Sequence, residues 1–269
     1  MRIAIIEGTR IEDVWFKTIK TCVDLGHNYV IDKGEYQGQQ RREFDFVTLK
    51  IKTPGKRPLA CQSQYITPTT DEKIEQYFQQ YLMNPDFSDE LERKNNEYKY
   101  STWISPNWEN CCQLLLHGMG GCNQACISLG STIKNNTVSN LKEIPETGMF
   151  EIKGTKTTYT PVIHKHPPCL RVIDMRIRYG ALHFIVYFRS WDLVAGYPEN
   201  IGGIQLLKEW CLDYINAVLE SRGENAIEDG EIIASSKGLH IYDHFWKMAG
   251  EYVGESSALE IPGIYVIGE

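Results

Sequence analysis

The chain has 269 residues, of which 42% are hydrophobic, 11% aromatic and 23% charged. This length and composition are typical of a globular protein with a substantial buried core. The formal net charge of -7 argues against broad nucleic-acid binding, although it leaves room for a local basic pocket. No apolar run approaches the roughly 20 residues of a membrane span, and the N-terminus lacks the pattern of a secretory signal. We therefore expect a cytoplasmic protein that binds neither membrane nor nucleic acid.

Eight cysteines are present, but a chain of this length does not need disulfides to fold. Cys111 and Cys112 are adjacent, while Cys122 and Cys126 are four positions apart. Neither spacing matches the closely spaced ligand pairs of a zinc site, and no nearby histidine completes a set. We expect reduced thiols and no metal.

The chain opens with a short apolar run at residues 2–6, which predicts a strand. Apolar residues at helical spacing follow it, and Gly26 is a natural stop for that helix. Alternating residues through Val47, Leu49 and Ile51 then predict a second strand.

A polar, glycine-punctuated and basic segment precedes this second strand and carries Lys33, Arg41 and Arg42. A basic loop beside a strand can bind an anion such as phosphate. The alternative is a solvated surface turn, and the segment alone does not decide between them.

Two amphipathic helices are expected next, at residues 71–83 and 108–116. The glycine-rich stretch 118–131 lacks both the lysine-serine ending of a phosphate-binding loop and the spacing of a dinucleotide fingerprint. The chain has no internal repeat or clear linker, which favours one domain spanning residues 1–269.

Residues 172–188 alternate in two halves around Tyr179-Gly180, which predicts a β-hairpin with a two-residue turn. In that register three apolar pairs share one face: Ile173 with Val186, Met175 with Phe184, and Ile177 with Leu182.

The same register places Cys169 opposite Ser190 and Leu170 opposite Arg189, at the open end of the hairpin. An adjacent arginine favours the thiolate form of a cysteine, which is the nucleophilic form. The alternative is a structural cysteine beside a surface arginine.

The last third begins with the strongest helical pattern of the chain, at residues 201–220. A short strand is expected at 231–234. His240 and Tyr242 follow two positions apart, so on an extended segment their side chains share one face. The closing residues 260–269 are apolar enough to dock on the rest of the protein.

Three motifs in this part of the chain resemble the thymidylate synthases and the related pyrimidine-nucleotide hydroxymethylases. Residues 189–200 match the signature Arg-Ser-x-Asp-x-x-x-Gly-x-Pro-x-Asn, the Pro-Cys pair at 168–169 matches the nucleophile, and His240-x-Tyr242 matches the sugar-binding pair. The secure resemblance covers residues 160–247. Leu170 after the cysteine and Trp191 in the signature look most like the archaeal-type branch.

The resemblance implies a covalent mechanism. Cys169 would add to C6 of the pyrimidine, so that C5 becomes nucleophilic and attacks a one-carbon unit. That unit would come from 5,10-methylenetetrahydrofolate or a methylene-carrying pterin analogue, used as a cosubstrate. Arg189 and Ser190 would bind the phosphate of the nucleotide, and Arg189 would also keep Cys169 ionised.

The resemblance also assigns residues that position both substrates. Asp192 would contact the pterin, and Gly196 lies in the same cofactor-binding motif. Asn200 would hydrogen-bond O4 and N3 of uracil, while His240 and Tyr242 would hold the 3'-hydroxyl of the sugar. Because cytosine-specific hydroxymethylases of the family carry aspartate in place of Asn200, the amide favours dUMP.

The sequence departs from the family pattern at several positions. The arginine pair by which the partner subunit completes the phosphate site in this family has only Lys134 as a candidate, and Lys33 follows an aspartate where the family has an arginine. Glu75 is a weak candidate for the glutamate that assists chemistry at O4. The C-terminus does not match the usual closing tail.

The resemblance implies an α/β fold (α+β), with one large twisted mixed sheet backed by helices in a single domain that forms a homodimer. Methylation of dUMP is the leading hypothesis. A pyrimidine-nucleotide hydroxymethylase acting on dUMP, dCMP or CMP, and a catalytically silent nucleotide- or RNA-binding relative, are the alternatives.

Overall fold

A computed structural model describes residues 1–32, 36–63, 68–87, 98–118, 121–130 and 167–268. The strands in these ranges are β1 (Ile3–Gly8), β2 (His27–Val30), β3 (Gln40–Phe44), β4 (Phe46–Ile51), β5 (Cys126–Ser128), β6 (Leu170–Arg178), β7 (Ala181–Phe188), β8 (Trp191–Asp192), β9 (Glu228–Ser236), β10 (Leu239–Tyr242) and β11 (Ile264–Ile267). The α-helices are α1 (Ile11–Leu25), α2 (Asp71–Tyr77), α3 (Ser101–Ile104), α4 (Trp108–Gly118), α5 (Tyr197–Ser221) and α6 (Trp246–Val253). A π-helical segment, Phe78–Met83, continues α2, and short 3-10 turns lie at Asp243–Phe245 and Ala258–Glu260.

The described strands form two sheets. The larger has seven strands in the order β11-β1-β4-β9-β7-β6-β5, and it is mixed, since the β1–β4 and β7–β9 pairs are parallel and the others antiparallel. The smaller has the order β2-β3-β10-β8. The expected fold class, a large mixed sheet backed by helices, is therefore confirmed, while the single domain over 1–269 stays a prediction.

The core lies between the larger sheet and the helices, and β7 shows how the sequence produces it. Every second side chain of β7 is buried, which is the period of a strand with one covered face. The long helix α5 buries an apolar stripe that includes Ile204, Leu207 and Cys211, and it packs against β7 and β9. Full burial of one such aliphatic side chain contributes roughly 1.5–3 kcal/mol relative to its exposure.

The hairpin between β6 and β7 confirms the three predicted pairs, Ile173–Val186, Met175–Phe184 and Ile177–Leu182. Tyr179 and Gly180 both have positive φ, of 53° and 72°. This is the backbone of a two-residue type I′ turn, whose twist matches that of the strands it joins.

Most expected elements are present with shifted ends. Helix α5 begins at Tyr197 rather than at residue 201, because Pro198 is tolerated in a first helical turn. The expected helix 71–83 keeps its bounds but changes to π-helical hydrogen bonding after Tyr77. The apolar C-terminal residues dock as β11, which pairs with β1.

No helix within the described ranges is both long and apolar enough to cross a membrane. All eight cysteines are free thiols.

Candidate active site

The open end of the hairpin differs from the predicted register by one residue. A β-bulge between Leu170 and Val172 shifts the pairing, so that Leu170 lies opposite Phe188 rather than Arg189. The predicted pairs Cys169–Ser190 and Leu170–Arg189 are therefore wrong, because an alternating pattern does not reveal an inserted bulge residue. The bulge instead brings Cys169 beside Arg189, whose backbone N–H donates to the Cys169 carbonyl over 2.9 Å.

The Arg189 side chain folds over the residues that precede Cys169. Its Nε donates to the carbonyl oxygen of Pro168 at 3.1 Å, and its Nη2 donates to that of Pro167 at 2.6 Å. Among the described residues Arg189 forms no ion pair. A half-buried guanidinium held only by neutral carbonyl groups keeps its full charge for an anion.

A tight corner joins β8 to α5. Oδ1 of Asp192 accepts hydrogen bonds from the backbone N–H groups of Val194 and Ala195, at 2.9 and 3.0 Å. A side chain at Gly196 would lie 2.9 Å from the Asp192 carbonyl oxygen and 3.4 Å from Oδ1 of Asn200. Glycine at 196 thus lets the chain turn close to both site residues.

Asn200 lies in the first turns of α5, and both ends of its amide are engaged. Its Oδ1 accepts from Nε1 of Trp191 at 3.2 Å, and its Nδ2 donates to the hydroxyl of Tyr77 at 2.9 Å. Each of these contacts uses one position of the amide, so one lone pair on Oδ1 and one N–H on Nδ2 remain.

Four tyrosines form a wall between Asn200 and Cys169. Tyr77 stacks on Tyr81 with ring centroids 5.3 Å apart, Tyr81 meets Tyr100 edge to face, and Tyr100 stacks on Tyr98. The Tyr100 hydroxyl accepts from the backbone N–H of Leu170 at 3.1 Å. The wall therefore ends at the residue that follows the candidate nucleophile.

Burial raises the pKa of each tyrosine in this wall. The pKa of Tyr98 rises to about 12, chiefly by burial and further through the charge of Cys169, to which it also hydrogen-bonds. All four phenols are therefore neutral near pH 7, so they can donate hydrogen bonds as well as accept them.

The smaller sheet contributes His240 and Tyr242 through β10. His240 lies opposite Asp192 in β8. The rings of His240 and Tyr242 meet edge to face, with their centroids 4.8 Å apart. His240 is only 2% exposed; its Nδ1 contacts the Gly238 carbonyl, while its buried Nε2 has no hydrogen-bond partner among the described residues. Burial lowers the pKa of His240, so a neutral ring presents a polar atom that a bound ligand could satisfy.

The predicted basic loop is wrong in part, because Arg41 and Arg42 lie in strand β3 and their side chains alternate between faces. Arg42 donates to the Val23 carbonyl and stacks over Trp246, away from the site. Arg41 pairs with Tyr242 in register, on the same face as His240. Arg41 is therefore a neighbour of the candidate sugar-binding pair that the sequence motifs do not reveal, although strand alternation in the polar segment could have indicated it.

Of the three further candidates, only Glu75 lies in the part of the chain that the structure describes. Lys33 and Lys134 lie outside the described residues. Glu75 is exposed on α2, two positions before Tyr77, and the Tyr77 hydroxyl contacts Asn200 instead. Side chains two positions apart on a helix point in different directions, so α2 cannot direct both Glu75 and Tyr77 toward Asn200.

The structure thus gathers Cys169, Arg189, Asp192, Asn200 and the His240–Tyr242 pair around one region, together with Ser190 beside Arg189. Tyr242 lies near Asp192 and Cys169, and its pKa is raised to about 12 mainly by burial. The arrangement combines a thiol, a cation, a side-chain amide and a neutral phenolic wall, which suits covalent chemistry on an anionic ligand with a planar polar edge.

Comparison with known proteins supports a thymidylate synthase-like family. No family model matches the chain. The chain is 24% identical over 252 residues to a protein of Methanosarcina acetivorans named "Putative thymidylate synthase", covering 93% of this chain and 94% of that protein. A protein of the same name from Methanococcoides burtonii is 24% identical over 245 residues, covering 90% of this chain and 91% of that protein.

The similarity extends along nearly the whole chain, whereas the three motifs lie within residues 168–242. It therefore supports the same family for the N-terminal part as well. It favours an enzyme of the one-carbon methyltransferase kind and does not single out a branch of that family.

Proposed function

We propose that this protein is a thymidylate synthase of the archaeal-type branch, which methylates dUMP at C5 with a methylene-carrying folate or pterin as cosubstrate. The observation that carries the proposal is the convergence of the Cys169 thiol, the Arg189 guanidinium and the Asn200 amide around one tyrosine-lined wall. The similarity to proteins named "Putative thymidylate synthase" supports it independently.

In this proposal Arg189 and Ser190 bind the phosphate, and His240 and Tyr242 bind the sugar hydroxyl. The unpaired Nε2 of His240 fits that role, since a bound hydroxyl would satisfy a buried polar atom. Asn200 reads O4 and N3 of the base with the lone pair and the N–H that Trp191 and Tyr77 leave available.

Cys169 then forms the thioether bond to C6, and the C5–C6 double bond is replaced by an enolate that makes C5 nucleophilic. C5 bonds to the one-carbon unit of the cosubstrate and loses its proton, and the bonds between that unit and the cosubstrate nitrogens break to leave an exocyclic methylene on C5. Hydride from the cosubstrate then adds to this methylene and makes it methyl, while the shifting electron pair restores the C5–C6 double bond and expels the Cys169 thiolate. Asp192 fits as a pterin contact, because its Oδ2 accepts no hydrogen bond from a described residue.

The test is incubation of the protein with dUMP and methylenetetrahydrofolate, followed by mass analysis of the nucleotide and measurement of tritium release from C5. We expect dTMP, and we expect Cys169→Ala to abolish both product and tritium release while it still binds dUMP. Cys126→Ala, which removes an exposed thiol on β5, is the matched control and should keep full activity. Absence of tritium release from the wild-type protein with every pyrimidine nucleotide and donor pterin tried would overturn the proposal.

A hydroxymethylase acting on dUMP, dCMP or CMP is the second candidate. The neutral phenols beside Cys169 favour it, because they can hold a water molecule where a hydroxymethyl product requires one. The same assay separates the two functions, since the hydroxymethyl product is heavier by one oxygen atom. A silent nucleotide-binding relative would bind dUMP with or without the Cys169 thiol, and neither the wild-type protein nor Cys169→Ala would convert the nucleotide to a product.

A further inference from the structure

The Asn200 amide is held in one orientation by a partner that can only donate. The indole Nε1 of Trp191 carries a hydrogen and has no acceptor capacity, so the Asn200 atom that faces it at 3.2 Å must be Oδ1. A flipped amide would set the NH2 group against the indole N–H, and two donors would face each other in a buried place.

Tyr77 holds the position of the amide without choosing its orientation. Its hydroxyl accepts from Nδ2 here, but a phenol could equally donate to an oxygen in a flipped amide. Burial raises the pKa of Tyr77, so the phenol keeps its hydrogen and both options stay open to it. Trp191 therefore determines which of the two orientations the Asn200 amide adopts.

Trp191 itself has little freedom to move. It is 2% exposed, its ring stacks on Phe188 at 4.1 Å with an interplanar angle of 7°, and it packs against Tyr197 at 5.1 Å. A ring held between two aromatic neighbours keeps its N–H aimed at Oδ1 of Asn200 whether or not a ligand is bound.

We infer that Trp191 is the positioning residue that sets the selectivity of this site between uracil and cytosine nucleotides. Uracil presents an acceptor at position 4 and a donor at position 3, whereas cytosine presents the reverse order. An Asn amide that could flip would read either base, but an amide fixed by Trp191 offers its N–H and its lone pair in one order only. The inference rests on the proposed function, in which Asn200 reads the base.

The test compares dUMP and dCMP in the same protein preparation, both as the ratio of their kcat/KM values and as the ratio of their dissociation constants. Either ratio cancels the fraction of active protein, so loss of folded material in a variant does not move it. Trp191→Phe keeps the stacking ring and removes the N–H. We expect it to reduce the preference between the two nucleotides by at least about tenfold, because the cost of a flipped amide disappears.

Two variants separate selectivity from general damage to the site. Tyr77→Phe should weaken both nucleotides to a similar degree and leave the ratio unchanged, because the phenol does not choose the orientation. Trp210→Phe removes an indole N–H from a side chain of α5 that is 48% exposed. It should change neither the ratio of the kcat/KM values nor the ratio of the dissociation constants. If Trp191→Phe does not fold, Trp191→benzothienylalanine replaces only the N–H by sulfur and serves in its place.

An unchanged ratio in Trp191→Phe or Trp191→benzothienylalanine, with wild-type turnover intact, would overturn the inference and leave the proposed function standing. If the wild-type protein binds the nucleotides without turning them over, the ratio of dissociation constants still decides the role of Trp191. Failure of the wild-type protein to bind either nucleotide would overturn both.

Discussion

Single residues at this site owe their chemical state to burial. His240 is held neutral by loss of solvent, and the tyrosines of the wall keep their hydrogens for the same reason. A neutral imidazole and neutral phenols can each donate or accept, so they can adapt to a sugar hydroxyl, a carbonyl group or water. The guanidinium of Arg189 has no ionic partner among the described residues, whereas Arg41, beside His240 and Tyr242, pairs with Glu43, so Arg189 is the group that suits an anionic nucleotide.

The lowered pKa of His240 predicts a pH dependence of stability. Between that folded-state pKa and the ordinary value of 6.5, the unfolded chain binds more protons than the folded one, so the free energy of unfolding rises with pH. The contribution of His240 is present in full above 6.5 and is lost as the pH falls toward the folded-state pKa. His240→Asn should flatten this slope in urea unfolding between pH 5 and 7.5, whereas replacement of the exposed His244 by Asn should not. Equal slopes in the wild-type protein and His240→Asn would contradict the assignment.

At the scale of elements, the contact between α2 and α5 carries the base reader. The ring of Tyr77 lies directly over Gly203 of α5, where a Cβ would approach its Cδ1 to 2.5 Å and its Cε1 to 2.8 Å. Gly202 is covered in the same way by Ile74. Two glycines in the interior of a helix lower the stability of that helix. Here they allow α2 to pack closely enough on α5 for Tyr77 to contact Asn200.

This packing reverses the usual effect of a glycine-to-alanine substitution. In a helix interior the change ordinarily stabilises by roughly 0.5–1 kcal/mol, but Gly203→Ala must displace a buried ring and should destabilise by roughly 1–3 kcal/mol. Gly250 of α6 is the matched control, because no atom lies within 4 Å of a Cβ built there, and Gly250→Ala should be neutral or stabilising. Urea unfolding of both variants measures the difference. A stabilised Gly203→Ala would show that α2 can move away from α5 at no cost.

On the scale of the whole molecule, the larger sheet has one face covered by helices and one face that is only partly buried. Ile185 of β7 and its partner Ile233 of β9 share this second face with Tyr187 and Val172. Ile185 is 37% exposed. A partly exposed, largely apolar sheet face of this kind suits contact with a second copy of the same sheet.

We therefore expect a homodimer that pairs through these faces, with a mass in solution twice the chain mass of 30.9 kDa. Ile185→Lys places a charge in the middle of the face and should shift the protein toward the monomer in sedimentation or light-scattering measurements. Leu259→Lys, at a 60% exposed position in the 3-10 turn Ala258–Glu260, should leave the mass unchanged. A monomeric wild-type protein at micromolar concentration would contradict this arrangement.

Much of the fold and several site residues follow from local pattern alone. The pairing of Ile173 with Val186 and the turn at Tyr179-Gly180 are set by alternation and by the geometry of a two-residue loop, both of which are short-range. The long apolar stripe of α5 is likewise readable from its spacing. Cys169, Arg189 and Asn200 could be nominated because each belongs to a motif with a chemical reason for its residue types.

How those residues meet depends on tertiary packing. The sequence pattern places a thiol and an arginine near one end of a hairpin, but the bulge after Leu170 puts Arg189 rather than Ser190 beside Cys169. Packing also brings the Tyr77 hydroxyl to Asn200 and leaves Glu75 exposed, since that contact depends on how closely α2 approaches α5. Periodicity records which face of an element is buried, whereas bulges and contacts between distant elements depend on packing that no local pattern encodes.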